Sequence, residues 1–226
     1  MKNKYMTLGM AGVALALVVI GGTFAMRSTQ TADTGVTDIS VKDIEISVAP
    51  SSETVQKEIE NAVPGGDVDF SYAVTNEAKE GVDRVDVYVR AIIYKQWEDV
   101  EESNTDDSKK NKGLDGSLVS ILQNGMEITG TDTNLDNWIV GYEDEEEVIL
   151  YYKHVLKNGE STDDFISGIR FSTAIDNAYA GKKLTIDIEV DSVQSTVGVS
   201  AMQSAWGVSP TIDDETGDIT DISETW

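Results

Sequence analysis

The sequence predicts an all-β protein in which short antiparallel strands form a sandwich. Several stretches alternate apolar and polar residues with the period of two that a half-buried strand requires, most clearly residues 68–74 and 184–191. Clusters of Pro, Gly, Asn and Asp, which favour turns, separate these stretches. The 226-residue chain has no cysteine, so a hydrophobic core rather than disulfide bonds must hold the sandwich together.

The first 25 residues have the three parts of a secretory signal peptide: a basic start, an apolar run over residues 8–20 and an exit of small residues. The run is shorter than the ~20 residues that span a bilayer as a helix. We predict cleavage by signal peptidase after Ala25, with Thr23 and Ala25 as the two recognised positions and Met26 as the first mature residue. A retained anchor or a pilin-type leader fits less well, because polar sequence follows the small residues directly. The mature protein is therefore expected to be secreted.

The charge of the mature chain excludes several classes of partner. Removal of residues 1–25 takes away two lysines and no acidic residue, which leaves 15 basic and 41 acidic side chains and a formal charge of −26. Nucleic acid and anionic lipid bind through cationic groups that release counterions. We therefore predict no nucleic-acid partner and no membrane contact after cleavage.

The types and numbers of residues in the chain exclude several common kinds of catalytic site. With one histidine, His154, and no cysteine, the chain cannot build a multi-histidine zinc site, an HExxH helix or a cysteine nucleophile. The sequence also has no G-x-S-x-G elbow and no phosphate-binding glycine loop. We predict no catalytic, cofactor-binding or metal-binding residues. His154, in the apolar phase of a predicted strand, is expected to be packed or hydrogen-bonded.

The N-terminal part of the mature chain is predicted to be a flexible lead, residues 26–35, followed by a β-segment, residues 36–48. The apolar residues of this segment fall in two phases, Ile39 and Val41 in the first and Ile44, Ile46 and Val48 in the second. A change of phase inside a strand indicates a bulge or a bend. Pro50 and two serines then end the segment.

The middle of the chain carries two well-marked strands. A Pro64-Gly65-Gly66-Asp67 turn precedes the alternating strand 68–74, and a second strand covers residues 85–93. We expect these two strands to pair. Residues 98–117 are hydrophilic and are predicted to be a solvated insertion loop. Apolar residues at helical spacing over 114–123 favour a short helix.

The C-terminal half is predicted to supply the remaining strands. Residues 148–156 are apolar in both phases, which indicates a central strand covered on both faces. Strands are also expected at residues 169–171 and 184–191, and a short helix at 197–206. The domain is therefore predicted to span residues 36–206, and residues 207–226 to be an acidic, turn-rich tail.

Acidic runs and tryptophans could mark ligand sites, but solvated loops and core packing are the simpler interpretation of these residues. The runs at 98–102 and 143–147 and the loop 213–218 lack the ligand spacing of an EF-hand, so solvated loops with at most weak calcium binding are expected. Trp138 and Trp206 could be carbohydrate platforms, although tryptophan in a sandwich is more often part of the core.

Four sequence elements, taken in order, resemble the TasA/camelysin family of exported bacterial matrix-fibre proteins. They are Gly21-Gly22-Thr23-Phe24-Ala25, the turn 64–67 with its following strand, the strand 85–93 after the turn at Asn76, and residues 186–194 followed by Ala205-Trp206-Gly207. The resemblance covers both ends of the chain and is poor over residues 98–165.

The resemblance implies a jelly-roll sandwich, processing by a dedicated signal peptidase and assembly into extracellular or cell-surface fibres. It also implies that residues 36–48 act as a donor strand completing the sheet of the next copy, possible partners being accessory matrix proteins. The alternative is that 36–48 is an ordinary first strand of its own domain. Two other functions stay open: a camelysin-type metalloendopeptidase, for which the chain lacks zinc-binding spacing, and a monomeric surface-binding module or adhesin.

Overall fold

A computed structural model describes residues 47–49, 54–60, 62–77, 85–99, 114–131 and 133–224. The predicted signal peptide with Thr23, Ala25 and Met26, the lead 26–35, and most of the segment 36–48 lie outside the described residues. So do residues 100–113, the greater part of the predicted insertion loop. Within the described part of the chain, no helix is long and apolar enough to cross a membrane.

Two antiparallel five-stranded sheets form the sandwich, which confirms the predicted fold class. Sheet I has the order β1 (Ser47–Ala49), β3 (Asp67–Thr75), β9 (Ile166–Phe171), β5 (Val119–Gln123) and β6 (Met126–Glu127). Sheet II has the order β2 (Thr54–Glu60), β10 (Lys182–Gln194), β4 (Val87–Asp99), β8 (Glu147–Tyr152) and β7 (Trp138–Glu143).

One hydrophobic core fills the space between the sheets. Sheet II contributes the inward residues of β4, β8 and β10, and sheet I those of β3, β5 and β9. The side chains of Ile93, Leu150 and Ile186 from sheet II pack in the same cluster as Ile121 and Ile169 from sheet I. This arrangement follows from the period of two, because alternate residues of each strand point to one face.

The longest ladder lies in sheet II. β4 and β10 pair without interruption from Val87↔Gln194 to Asp99↔Lys182. β8 lies between β4 and β7, with Leu150 in the main core and Tyr151 buried on the opposite face. The prediction that this strand is covered on both faces is therefore confirmed, although β8 ends at Tyr152, before His154.

A third layer covers part of the outer face of sheet II. It consists of helix α1 (Gly198–Trp206) and a hairpin of β11 (Val208–Ile212) and β12 (Ile219–Glu224). The predicted helix is confirmed, and it ends at Gly207, whose φ of 70° is a left-handed conformation that favours glycine. The segment predicted to be a turn-rich tail instead carries this hairpin, because Val208 and Ile219 are buried against sheet II.

Two other local predictions were wrong. The strands 68–74 and 85–93 do not pair with each other, since β3 belongs to sheet I and β4 to sheet II. Residues 114–123 form a single 3-10 turn, Gly116–Leu118, and then strand β5 rather than a helix. Residues at both ends of the predicted insertion 98–117 also belong to regular elements, since β4 extends to Asp99.

Candidate assembly edge

The edge of sheet I where β1 meets β3 is the candidate functional site. Its pairing is short: Ser47 lies opposite Thr75, Val48 opposite Val74, and Ala49 opposite Ala73. Val48 is the one predicted donor-strand residue that the structure describes; Ile39, Val41, Ile44 and Ile46 lie outside the described residues. For these three positions the chain pairs with its own sheet.

The register limits how far this pairing extends. β3 ends at Thr75, opposite Ser47, and Asn76 and Glu77 follow outside any strand. The buried Asn76 side chain donates hydrogen bonds to the carbonyls of Val85 and Leu156, both at 2.9 Å. These bonds hold the chain after β3 at the loops beside sheet II, so β3 offers no strand partner for residues before Ser47.

The rest of β3 has no described strand on its β1 side. β9 pairs with β3 on the opposite side, through Asp67, Val68, Asp69 and Tyr72. β1 covers only residues 73–75, so residues 67–72 form an edge within the described part of the chain. An uncovered strand edge presents backbone N–H and C=O groups that can pair with another chain.

The side chains along this edge leave the core partly open. Val68, Phe70 and Tyr72 pack against the main core but stay only partly buried. The Phe70 and Tyr72 rings lie 5.9 Å apart, so they form one continuous apolar surface. In contrast, Val74, at the end that β1 covers, is completely buried.

An ion-pair clamp fixes the start of β3. Arg170 of β9 donates from Nε and Nη2 to the two carboxylate oxygens of Asp67, and from Nη1 to Oε1 of Glu127, each at 2.7 Å. The Arg170 guanidinium lowers the pKa of the Asp67 carboxyl below its usual range through its hydrogen bonds and its charge. The clamp ties β3, β9 and β6 together across the outer face of sheet I. Sequence reasoning missed it, because the partners are 103 residues apart and no local pattern links them.

The edges of sheet II are better protected. The last residues of β2, Glu58 and Glu60, are exposed and charged, and Lys183 pairs with Glu58 at 2.7 Å. On the other side, Asn134 forms an isolated bridge with Ile139 of β7, and β7 carries a register shift around Gly141. Charged residues, bulges and covering segments are the usual devices that block strand addition.

In the described acidic segments, aspartate side chains accept backbone hydrogen bonds that stabilise turns. Oδ1 of Asp144 accepts hydrogen bonds from the backbone N–H groups of Glu146 and Glu147, both at 2.8 Å, at the turn between β7 and β8. Asp213 does the same for Glu215 and Thr216 at 2.9 Å, and these bonds lower its pKa. Among the described residues, no group of three or more His, Asp or Glu side chains is arranged to hold a metal ion. Weak calcium binding stays a prediction.

The tryptophans and the histidine have structural contacts. Trp138 is buried in the core, where its indole Nε1 donates to Oδ1 of Asp163 at 3.0 Å. Trp206 is partly buried, with the Arg90 guanidinium 5.3 Å from its ring centroid. His154 Nδ1 lies 2.9 Å from Oδ1 of Asp218 and Nε2 lies 3.1 Å from Oδ1 of Asn137, so the histidine is hydrogen-bonded, as the sequence predicted.

Comparisons of this chain with protein-family models, with curated proteins and with solved structures found no match.

Proposed function

We propose that this protein is a secreted structural subunit of extracellular or cell-surface fibres. The N-terminal β-segment of one copy would complete sheet I of the next copy by donor-strand addition. The observation that carries the proposal is the β3 edge: three of its residues pair with β1, and the rest has a partly exposed apolar row. Backbone hydrogen bonds would supply affinity at such an edge, and alternating side chains would set the register.

The energetic balance favours exchange between copies. The donor segment has five apolar residues, and each contributes ~1.5–3 kcal/mol if it is fully buried. Among the described residues, the pairing that must be released within one copy involves three residue pairs. In the register of β1, residues before Ser47 have no partner on β3. A donor segment that slides along the edge by an even number of residues would keep its apolar phase inward, pair with residues 67–72 as well, and cover Val68, Phe70 and Tyr72.

The rest of the protein surface disfavours contacts between copies other than strand addition at sheet I. A formal charge of −24 for the whole chain repels other copies where no specific contact offsets it. The charged residues of β2 and the bridged, bulged β7 disfavour addition at sheet II. Strand addition at sheet I alone gives a head-to-tail contact, which builds a filament when its rotation does not close a ring.

The order of the strands supports the jelly-roll prediction within the sandwich class. From β2 to β5 the chain alternates between the sheets, with β2 and β4 in sheet II and β3 and β5 in sheet I. The return strands β9 and β10 then insert between these pairs, β9 between β3 and β5 and β10 between β2 and β4. This interleaving is typical of Greek-key sandwiches.

Paired variants of the donor segment test the proposal. Ile44→Ser with Ile46→Ser removes two apolar residues of one phase, and Asp43→Ser with Glu45→Ser changes the intervening polar residues as a matched control. We expect negative-stain electron microscopy to find filaments for the unmodified mature protein and the control, and monomers for the apolar variant. Deletion of residues 26–48 should likewise leave a soluble domain that does not polymerise.

Three results would overturn the proposal. Filaments formed by the deletion variant would show that another surface drives assembly. A mature protein that stays monomeric at high concentration, in size-exclusion chromatography and in microscopy, would favour a monomeric binding module. Peptide cleavage by the purified protein that a chelator abolishes would favour a metallopeptidase.

A further inference from the structure

The C-terminal layer, defined as α1 with the β11–β12 hairpin over residues 198–224, has a hydrophobic cluster of its own. Met202, Val208 and Ile219 from the layer pack with Tyr88 and Tyr151 on the outer face of sheet II. Met202 is completely buried there. This cluster is separate from the main core, which lies on the other face of the same sheet.

Close packing brings the layer onto the sheet. A Cβ added to Gly198, the first residue of α1, would lie 2.5 Å from Cε2 of Tyr88, so only a glycine lets the helix approach this ring. At the other end of α1, the Trp206 ring lies 5.3 Å from the Arg90 guanidinium, and its centroid lies 5.7 Å from that of the Tyr151 ring. Arg90 is also ion-paired with Asp191 of β10.

No strand ladder joins the layer to the sandwich within the described part of the chain, because β11 and β12 pair with each other. Individual side-chain and backbone contacts join the layer to the sandwich instead. The N–H of Ile219 donates to the carbonyl of Lys153 at 2.7 Å, and the Tyr88 hydroxyl donates to the carbonyl of Gly217 at 2.7 Å. His154 and Asp218 form a third contact at 2.9 Å. The layer can therefore separate without breaking a ladder of either five-stranded sheet.

We propose that the C-terminal layer opens and closes as one cooperative unit while the sandwich stays folded. Segments with their own small cluster and few backbone bonds to the rest of a protein open at a lower free energy than the whole molecule. Opening uncovers Tyr88, Tyr151 and Val193 on sheet II, so the closed layer acts as a lid over an apolar face. This conformational device is independent of the fibre function.

Hydrogen exchange of the purified protein at low, sub-denaturing urea concentrations tests the proposal. Met202→Ala removes the centre of the second cluster and destabilises the closed state, so it is expected to speed exchange of the Gly217 and Ile219 amides by roughly 30-fold or more. The β4–β10 ladder amides, which exchange only after global unfolding, should speed up as well and stay slower than the layer amides. The matched control is Ile186→Val in the main core. It should speed exchange of the ladder amides by roughly 2- to 10-fold and leave the layer amides unchanged.

The two variants together decide the outcome. A layer that loses all protection in Met202→Ala, beside a still protected ladder, would also support the proposal. If instead the layer amides exchange as slowly as the ladder amides in the unmodified protein, or speed up together with them in Ile186→Val, the layer unfolds only with the sandwich and the proposal is wrong. Tyr88→Phe provides a milder second test, because it removes only the hydroxyl bond to Gly217 and should speed exchange of the layer amides by roughly 2- to 10-fold.

Discussion

The two sheets of this sandwich differ in how completely their strands are paired. In sheet II, β4 and β10 pair along their whole lengths, and β2 and β8 continue the sheet on either side. In the described part of sheet I, the outer strands β1 and β6 contribute three and two residues, and a register shift interrupts the pairing of β3 with β9. Sheet II is therefore expected to provide most of the stability, and sheet I the edge at which a strand can change partners.

The largest expected effect contrasts core residues of the two sheets. Leu150→Ala removes a completely buried side chain in sheet II and should lower the free energy of unfolding by about 2–5 kcal/mol. Val68→Ala on β3 should lower it by less than about 1.5 kcal/mol, because Val68 is only partly buried. Urea unfolding of both variants measures the difference. Equal losses would contradict the unequal division of stability between the sheets.

A second prediction concerns the residue that ends β3. Asn76→Ala leaves the carbonyls of Val85 and Leu156 without their side-chain donor and should lower the free energy of unfolding by about 1–3 kcal/mol. The exposed Asn177 serves as the control, since Asn177→Ala should change it by less than about 0.5 kcal/mol. Denaturant titration checks both. Indistinguishable values for the two variants would show that Asn76 does not anchor this corner.

The pattern of predictions that were right and wrong follows from how far apart the interacting residues lie. The strand 68–74 was predicted because its alternation is local, and β3 covers it. The prediction that it pairs with 85–93 is wrong, because consecutive strands often pair but here β3 pairs with β9 in sheet I and β4 pairs with β10 in sheet II. Pairing between strands that are distant in the sequence cannot be predicted from the local alternation of apolar and polar residues.

Two other errors have local causes. Residues 118–122 are apolar on both phases, so a short strand buried on both faces cannot be distinguished from a helix by period alone. The acidic turn 213–218 dominates the composition of the C-terminal segment and obscures the strands on either side of it. At the candidate site, the local alternation predicts strand β3 but not its open side, which depends on the strands that lie beside it in the described part of the chain.

A buried lysine links the two sheets and predicts a pH dependence. Lys95 of β4 donates from Nζ to the carbonyl of Val119 in sheet I at 3.2 Å and to that of Asp144 at 3.0 Å. Burial lowers its pKa below the usual 10.5, against the opposing effect of nearby carboxylates such as Glu143. In this situation the folded protein releases the proton at a lower pH than the unfolded chain does.

The sign of the effect follows from this difference in proton binding. As the pH rises from neutral towards 10.5, the unfolded chain binds more protons at Lys95 than the folded protein, so Lys95 favours folding increasingly. The unfolding free energy of the natural protein, minus that of Lys95→Met, should therefore rise over this range. Urea unfolding at several pH values measures the difference, and a flat or falling difference would contradict the prediction.

The smallest expected effect is at the surface clamp of sheet I. Arg170→Met removes the ion pairs with Asp67 and Glu127, and should lower stability slightly at low salt and still less at high salt, because exposed charges are screened. Lys183→Met, which removes the ion pairs with Glu58 and Glu98 in sheet II, is the matched control. If the clamp positions the edge for assembly, filament formation should fall for Arg170→Met and not for Lys183→Met at equal monomer stability.

Disulfide trapping between two copies tests the central claim most directly, since the natural chain has no cysteine. The Val74 backbone bonds towards Thr162, so Val48 and Val74 form a non-hydrogen-bonded pair with a Cα separation of about 4.5 Å, which a disulfide can bridge. Val48→Cys protein is mixed with Val74→Cys protein and oxidised, which tests exchange in the register of β1. Val68→Cys replaces Val74→Cys in a second mixture, which tests a donor strand that has slid along the edge, and Val197→Cys, at an exposed position outside sheet I, is the control. The account predicts a disulfide-linked heterodimer for the first or the second mixture and none for the control. Absence of the heterodimer in both mixtures, under conditions where filaments form, would contradict strand exchange at the β3 edge.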